Sequence, residues 1–201
     1  AESLCGLRRV SSGAIKIGAR DITGSSVRDI SRLGLAQIPQ DRHATGLILD
    51  FSVEENLILS EDRLKRYSRF GFLNFQHIRT DTHRLIKQFD IRIRDTALPV
   101  SMLSGGNQQK LIFARTLAEP KDVLVVFNPT RGVDIKASEE IYQELLTRRS
   151  EGAGILLIST ELDEIILLSD RIAIMFEGRI VGLVSPDTSR EEIGRLMAGA
   201  A

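Results

Sequence analysis

An α/β chain with a mainly parallel sheet and antiparallel hairpins is the fold class this sequence predicts. The first sign is a pair of short apolar runs, Val123–Phe127 and 154–159, rich in Val, Leu and Ile. Strands covered on both faces lose the alternation of a half-exposed strand, so such runs argue buried strands. The second sign is that helical patterning separates these runs, and alternating strands and helices close into a parallel sheet through right-handed crossovers. The third is a polar, helix-rich stretch over about 46–100 that reads as a helical insertion into that core.

Taken in order, residues 13–18 alternate small, apolar and charged side chains and read as a strand in a hairpin. A short helix is expected over 26–33, and a strand over 35–39 that delivers Gln40-Asp41-Arg42. Ser52 and Glu55 form a capping box, Ser52 at the N-cap and Glu55 three residues on, which opens the first helix of the insertion. Residues 61–69 are densely charged and give way to Phe70-Gly71-Phe72-Leu73. Their plain reading is a solvated connector packed at one end. A helix over 76–89 places Ile78, Leu85, Ile86 and Phe89 near helical spacing, and Pro99 breaks the chain after it. Further on come a helix to about Leu117, the strand Val123–Phe127, a helix over 137–149, a strand over 155–159 and a helix over 161–169. Glu177-Gly178 is a hairpin signal between strands at 171–176 and 179–184, and a last helix covers 190–197.

Composition narrows the function. The 201 residues suffice for one domain with a sizeable core. Lys plus Arg equals Asp plus Glu at 27 each, so no net field draws the chain to nucleic acid or anionic lipid. A single cysteine, Cys5, rules out an internal disulfide and reads as a packing residue. No run of 18 apolar residues occurs, so membrane association is expected through a partner. His43, His77 and His83 lack metal-ligand spacing and read as solvent-exposed; no metal site is expected on the chain. Glu139, Glu140, Glu161, Asp163 and Glu164 read as helix-start charges and solvated faces rather than a catalytic pair.

The most telling segment is Leu103-Ser104-Gly105-Gly106-Asn107-Gln108-Gln109-Lys110, ahead of a helical pattern. Small residues let backbone N–H groups and the Ser104 hydroxyl approach an anion, and the helix N-terminus adds its positive dipole end. This string resembles the signature motif of ABC-type ATPases. The resemblance extends to Pro129, Thr130 and Asp134, which match the segment ending in the D-loop Asp, and to Gln40 at the Q-loop position. It covers nearly the whole chain to about Gly182.

What the resemblance implies is a P-loop NTPase-like ABC ATPase core. In that family the signature closes over the γ-phosphate held by a partner subunit's P-loop. Ser104, Gly105, Gly106, Asn107 and Gln108 are thus expected to meet nucleotide in trans. Other positions depart from the family pattern. Phe127 stands where a magnesium-linked Asp is expected, Asn128 where the catalytic Glu is expected, and Thr160 where a switch His is expected. Phosphoryl transfer needs a phosphate cradle, a metal and a group that orients water. Phe127 cannot ligate magnesium, and Asn128 cannot take a proton as a carboxylate does. No GxxxxGK[ST] occurs either; residues 13–20 have the glycine spacing without the Lys and the Ser/Thr. The resemblance therefore implies a chain starting just after the P-loop, with Ala1 inside the helix that the P-loop would open.

Within the family, LSGGNQQK, PTRGVD and STELDEI resemble the second ATPase half of tandem proteins that energise import of monosaccharides or nucleosides. The expectation is an importer's ATP-binding domain with a degenerate site of its own. ATP and magnesium are expected with a partner half. Partners are permease subunits and, indirectly, an extracytoplasmic binding protein, and the location is the cytoplasmic face of the membrane. The 61–73 segment then has a sharper reading as a surface near the permease's coupling helices. Two other readings stand beside this one: slow hydrolysis through Gln40, Asn128 and Thr160, and a non-transport ABC protein of the translation or DNA-repair type.

Overall fold

The computed structural model describes residues 2–199, without the side chains of Glu61 and Asp62. The chain divides into two compact units, Ala1–Leu156 and Leu157–Ala201.

The first unit opens with turns over 2–6 and a two-stranded hairpin, β1 (Lys16–Ile17) and β2 (Arg20–Asp21). The strand expected over 13–18 is therefore shorter, because Gly13 takes φ +86° and leaves the extended region. The helix expected at the start is turn in its described part, and Ala1 lies outside the described residues. Cys5 is buried there, and burial raises its thiol pKa.

Helix α1 (Val27–Arg32) is capped by the Ser26 hydroxyl, which accepts from the Asp29 amide at 3.2 Å. Gly34 ends it at φ +84°, and any Cβ there would lie 2.7 Å from an Asp122 carboxylate oxygen. Strand β3 (Leu35–Ile38) follows and pairs in parallel with β6 (Val123–Phe127), Leu35 opposite Val123 and Ile38 opposite Val126. The strand order is β3-β6-β7, with β7 at Gly154–Ile158, the strand in which the two units divide.

Between β3 and β6 lie the stretch expected to be an insertion and the string at 103–110. A π-helical turn spans Arg42–Gly46. Helix α2 (Val53–Leu57) carries the expected capping box. Buried Asn56 ties the preceding loop to it, accepting from Ile48 N and donating to Ile48 O, each at 2.9 Å. The stretch read as a solvated connector is instead helix α3 (Glu61–Tyr67) and a hairpin, β4 (Ser68–Arg69) with β5 (Phe72–Leu73). Its order comes from Ser60 capping α3 and from Arg63 and Tyr67, which turn inward together at i and i+4. Helix α4 (Phe75–Gln88) is capped by Asn74 and buries Ile78, Thr82 and Leu85.

Helix α5 (Gly105–Leu117) is the centre of the first unit. Positions Gln108–Ala114 are all buried, so the helix has no solvent face there. Helix α6 (Ile135–Ser150) follows β6 and buries Ala137, Ile141 and Leu145.

In the second unit, α7 (Leu162–Leu168) precedes the hairpin β8 (Ile172–Phe176) and β9 (Arg179–Val184), and α8 (Arg190–Met197) ends it. The turn places Glu177 at φ +47° and Gly178 at φ +78°, as a tight hairpin turn requires. Ile172, Ile174 and Ile193 form its core. Glu164 departs from the expected solvated face: it is 1% exposed, on the inward stripe of α7 one turn before buried Leu168.

Candidate functional site

The site grows from the start of α5. Ser104 is its N-cap at φ −63°, ψ 158°, and the hydroxyl accepts from the Asn107 amide at 3.4 Å and from Asn107 Nδ2 at 2.9 Å. Asn107 Oδ1 in turn accepts from the Arg92 amide at 2.8 Å, which ties the signature to the end of the insertion. The first turn of α5 holds no acidic residue, and the helix itself offers no acceptor to the Gly105 and Gly106 N–H groups. Ser104 is exposed and Gly105 half-buried, so this positive helix end is open to an anion.

Both glycines are required by close packing. A Cβ at Gly105 would lie 2.9 Å from the Gly132 carbonyl oxygen and 3.0 Å from an Arg42 guanidinium nitrogen. A Cβ at Gly106 would lie 3.0 Å from Ala137 Cβ and 3.1 Å from an Asp134 carboxylate oxygen. The expected D-loop residue Asp134 is thus beside the signature, and it also caps α6, accepting from the Ala137 amide at 3.0 Å.

Gln108 is buried, and its amide is fully committed within the chain. Its Oε1 accepts from Arg42 Nε at 3.2 Å and meets His43 Nε2 at 2.9 Å. Its Nε2 donates to the Val100 and Leu103 carbonyls at 3.2 and 3.3 Å. Of the signature residues expected to face nucleotide, Gln108 is therefore turned inward and Gly106 is buried, while Ser104 and Gly105 border solvent.

Gln40 lies two residues past the end of β3 and is exposed. The next residue, Asp41, caps the π-helical turn by accepting from the His43 and Ala44 amides at 2.9 and 3.0 Å. Those two amides, Ala44 first, lower its carboxyl pKa below the usual range. All three histidines are exposed as expected, but two have ring contacts: His43 on Gln108, and His77 edge-on to Tyr67 at 5.1 Å.

Phe127 and Asn128 follow one another at the C-terminal end of β6, both half-buried. Asn128 adopts φ +38°. A benzyl side chain and a carboxamide give this position no anionic oxygen, so the pair does not fit a magnesium ligand set. Thr160 is exposed and belongs to the second unit.

One charge cluster escaped the sequence reading. Lys110 is buried, donates to the Asp90 carbonyl at 3.0 Å, and pairs with Glu140 of α6 and with the Asp90 carboxylate. Glu140, read as a solvated charge, thus neutralises a buried ammonium. A lysine inside a buried helical run was the available signal, since buried charges are paired.

Comparison with known proteins bears on the family and the fold. The family model described as ABC transporter matches residues 1–131. The chain is 42% identical over 199 residues to the nucleoside import ATP-binding protein NupA of Lactococcus lactis, covering 98% of this chain and 39% of that protein. It is 42% identical over 200 residues to the guanosine import ATP-binding protein NupO of Bacillus subtilis, covering 99% and 39%. A ribose import ATP-binding protein of Rubrobacter xylanophilus is 38% identical, covering 100% and 38%. The chain thus spans well under half the length of these relatives. Among solved structures, a dimeric ATP-binding cassette in a post-hydrolysis state with ADP and Pi matches at TM-score 0.75 and 19% identity, covering 94% of this chain and 79% of that one. A nucleotide-free cassette from an ABC transporter also reaches 0.75, covering 98% and 78%. At that identity these two matches speak for the fold.

Proposed function

This chain belongs to the ABC transporter family, and we propose that it is an ATP-binding domain of an importer for nucleosides or monosaccharides. In this reading it lends its signature to ATP held by a partner half. The single observation that carries it is the open start of α5: an exposed Ser104 cap, first-turn N–H groups at two glycines and no acidic residue in that turn. The import function comes from the relatives, whose names specify nucleoside, guanosine or ribose import. Because the chain spans only 39% of the first two, the cargo and the assembly of the whole protein belong to this proposal.

Bound ATP supplies the phosphoanhydride whose cleavage drives transport. This chain's part is electrostatic and positional. Ser104 Oγ and the Gly105 and Gly106 N–H groups stabilise charge on phosphate oxygens presented by the partner. The site that would use Phe127 and Asn128 turns over slowly or not at all, since Phe127 offers a metal no ligand atom and Asn128 cannot act as a base at neutral pH. The domain is one ABC ATPase core with its helical insertion at about 46–100. Magnesium belongs with the partner's nucleotide, and permease subunits hold the domain at the cytoplasmic face of the membrane. Among the described residues no helix is long and apolar enough to cross a membrane.

Steady-state ATP hydrolysis by the intact protein with its partner half tests the asymmetry. Asp is as good an N-cap as Ser but places a negative charge at the phosphates. Ser104→Asp is therefore expected to lower turnover at least about 100-fold while the fold is kept. Asn128→Gly, which suits φ +38°, is expected to leave turnover within about two-fold. If Asn128→Gly is the damaging change, the asymmetric reading is wrong.

A further inference from the structure

The turn that follows Gln40 is bolted to the signature helix, and one side chain reaches further. Arg42 Nε donates to Gln108 Oε1 at 3.2 Å, and Arg42 Nη1 donates to the Arg131 carbonyl at 3.0 Å. The guanidinium also fills the gap between two glycines. A Cβ at Gly105 would lie 3.0 Å from Nη2, and a Cβ at Gly132, at φ +67°, would lie 3.5 Å from Nη1. One half-buried fork therefore touches three segments: the turn itself, the first turn of α5, and the loop before α6.

The platform under Arg42 is rigid. Asp41 caps the turn through two amides, and its carbonyl accepts from Thr45 Oγ1 at 2.9 Å. At the other end, Arg115 of α5 donates to the Gly46 carbonyl. A Cβ at Gly46 would lie 2.7 Å from Ile112 Cδ1, so the turn also lies flat against α5. π-Helical turns are rare and recur at functional sites.

We propose that Arg42 is a positioning residue. It holds the signature turn and the loop at 131–134 at one spacing, so that Ser104 and the Gly105 and Gly106 N–H groups meet a partner's phosphates already in place. This rests on the reading that the signature serves nucleotide held by a partner. Arg42 acts through Gln108 and Arg131 and does not itself touch nucleotide. The need for arginine follows from its planar fork, whose Nε and Nη1 point at two separate acceptors; a lysine ammonium is a single point and reaches one of them.

The test compares Arg42→Lys, Arg42→Ala and Ser104→Asp in the intact protein with its partner half. It measures ATP hydrolysis at varied ATP, together with amide hydrogen exchange at 104–108 and 131–134. Both Arg42 variants are expected to lower kcat roughly 10- to 100-fold with KM for ATP little changed, as misplacement of about an ångström does. Exchange is expected to quicken in both segments while the melting temperature stays within about 5 °C. Recovery of kcat in Arg42→Lys would overturn the proposal, as would a fall in kcat with exchange unchanged in either segment. Full activity in the Arg42 variants beside a dead Ser104→Asp refutes the positioning role alone. Full activity in all three variants refutes the reading beneath it as well.

Discussion

Asn128 answers two demands at one position. At φ +38° its backbone is left-handed, a region that costs a branched or bulky residue about 1–2 kcal/mol and that asparagine tolerates. Its amide also leaves the end of β6 uncharged. Asn128→Ala is therefore expected to destabilise by about 1 kcal/mol in urea unfolding, and Asn128→Gly by much less. If Ala and Gly behave alike, the backbone conformation is not what selects asparagine. At this scale the sequence showed which groups carry chemistry and hid which groups hold them. Ser104 was legible as a hydroxyl at an anion-facing helix start because that pattern is local. Arg42 was not, because its partners Gln108 and Arg131 lie 66 and 89 residues away. The contacts of Gln108 were hidden for the same reason: its place in the string suggests a ligand, and only the fold shows it bonded to Arg42, His43 and the carbonyls of 100 and 103.

Helices α3 and α4 meet around one buried polar cluster. Arg63, 3% exposed, donates to Tyr67 Oη at 2.8 Å and pairs with Asp81 at 2.9 Å, while Tyr67 also donates to Asp81. Arg84 adds a third bond to the Asp81 carboxylate at 2.7 Å. Removing one member leaves a buried charge without compensation, so Asp81→Ala is expected to cost about 3–5 kcal/mol by chemical denaturation. A cost under about 1 kcal/mol would mean the cluster is well hydrated.

The same cluster has a pH signature. Burial, and then the bond to Asp81, push the Tyr67 phenol up to about 12. A folded pKa raised above the unfolded value of about 10 gives stability that is complete below pH 10 and is lost as pH rises toward 12. Stability of the native protein is thus expected to fall through that window, and the Tyr67→Phe protein to lack this component. Phenolate absorbance of Tyr67 rising near pH 10 would contradict the assignment. The element itself was only half legible. A dense run of charge reads as solvated when partners are unknown, and Asp81, which turns Arg63 inward, sits 18 residues downstream.

At the scale of the molecule, α5 unites core and site. Its buried run carries Leu111, Ile112, Phe113 and Ala114 at 0–1% exposure, and its first turn is the signature. Phe113→Ala is expected to cost about 3–5 kcal/mol through the cavity it leaves. Because the site is the end of that same rod, it is also expected to slow ATP turnover by the intact protein with its partner. Full turnover at a lowered melting temperature would show that the signature turn keeps its place without the helix behind it.

The sequence by itself determined the order of the elements from β6 onward, the Ser52 capping box, a parallel sheet, and the family. These depend on periodicity, on turn chemistry and on groups only a few residues apart, so a linear string contains them. The tertiary structure decided the rest. It placed Asp134 beside Gly106, paired Lys110 with Glu140, buried Glu164, ordered the charged stretch at 61–69, and joined Arg42 to two distant segments. Each of those depends on which polar groups lose water together. That is a property of packing, where an unpaired buried charge costs more than the chain can spare and a paired one becomes a fixed point.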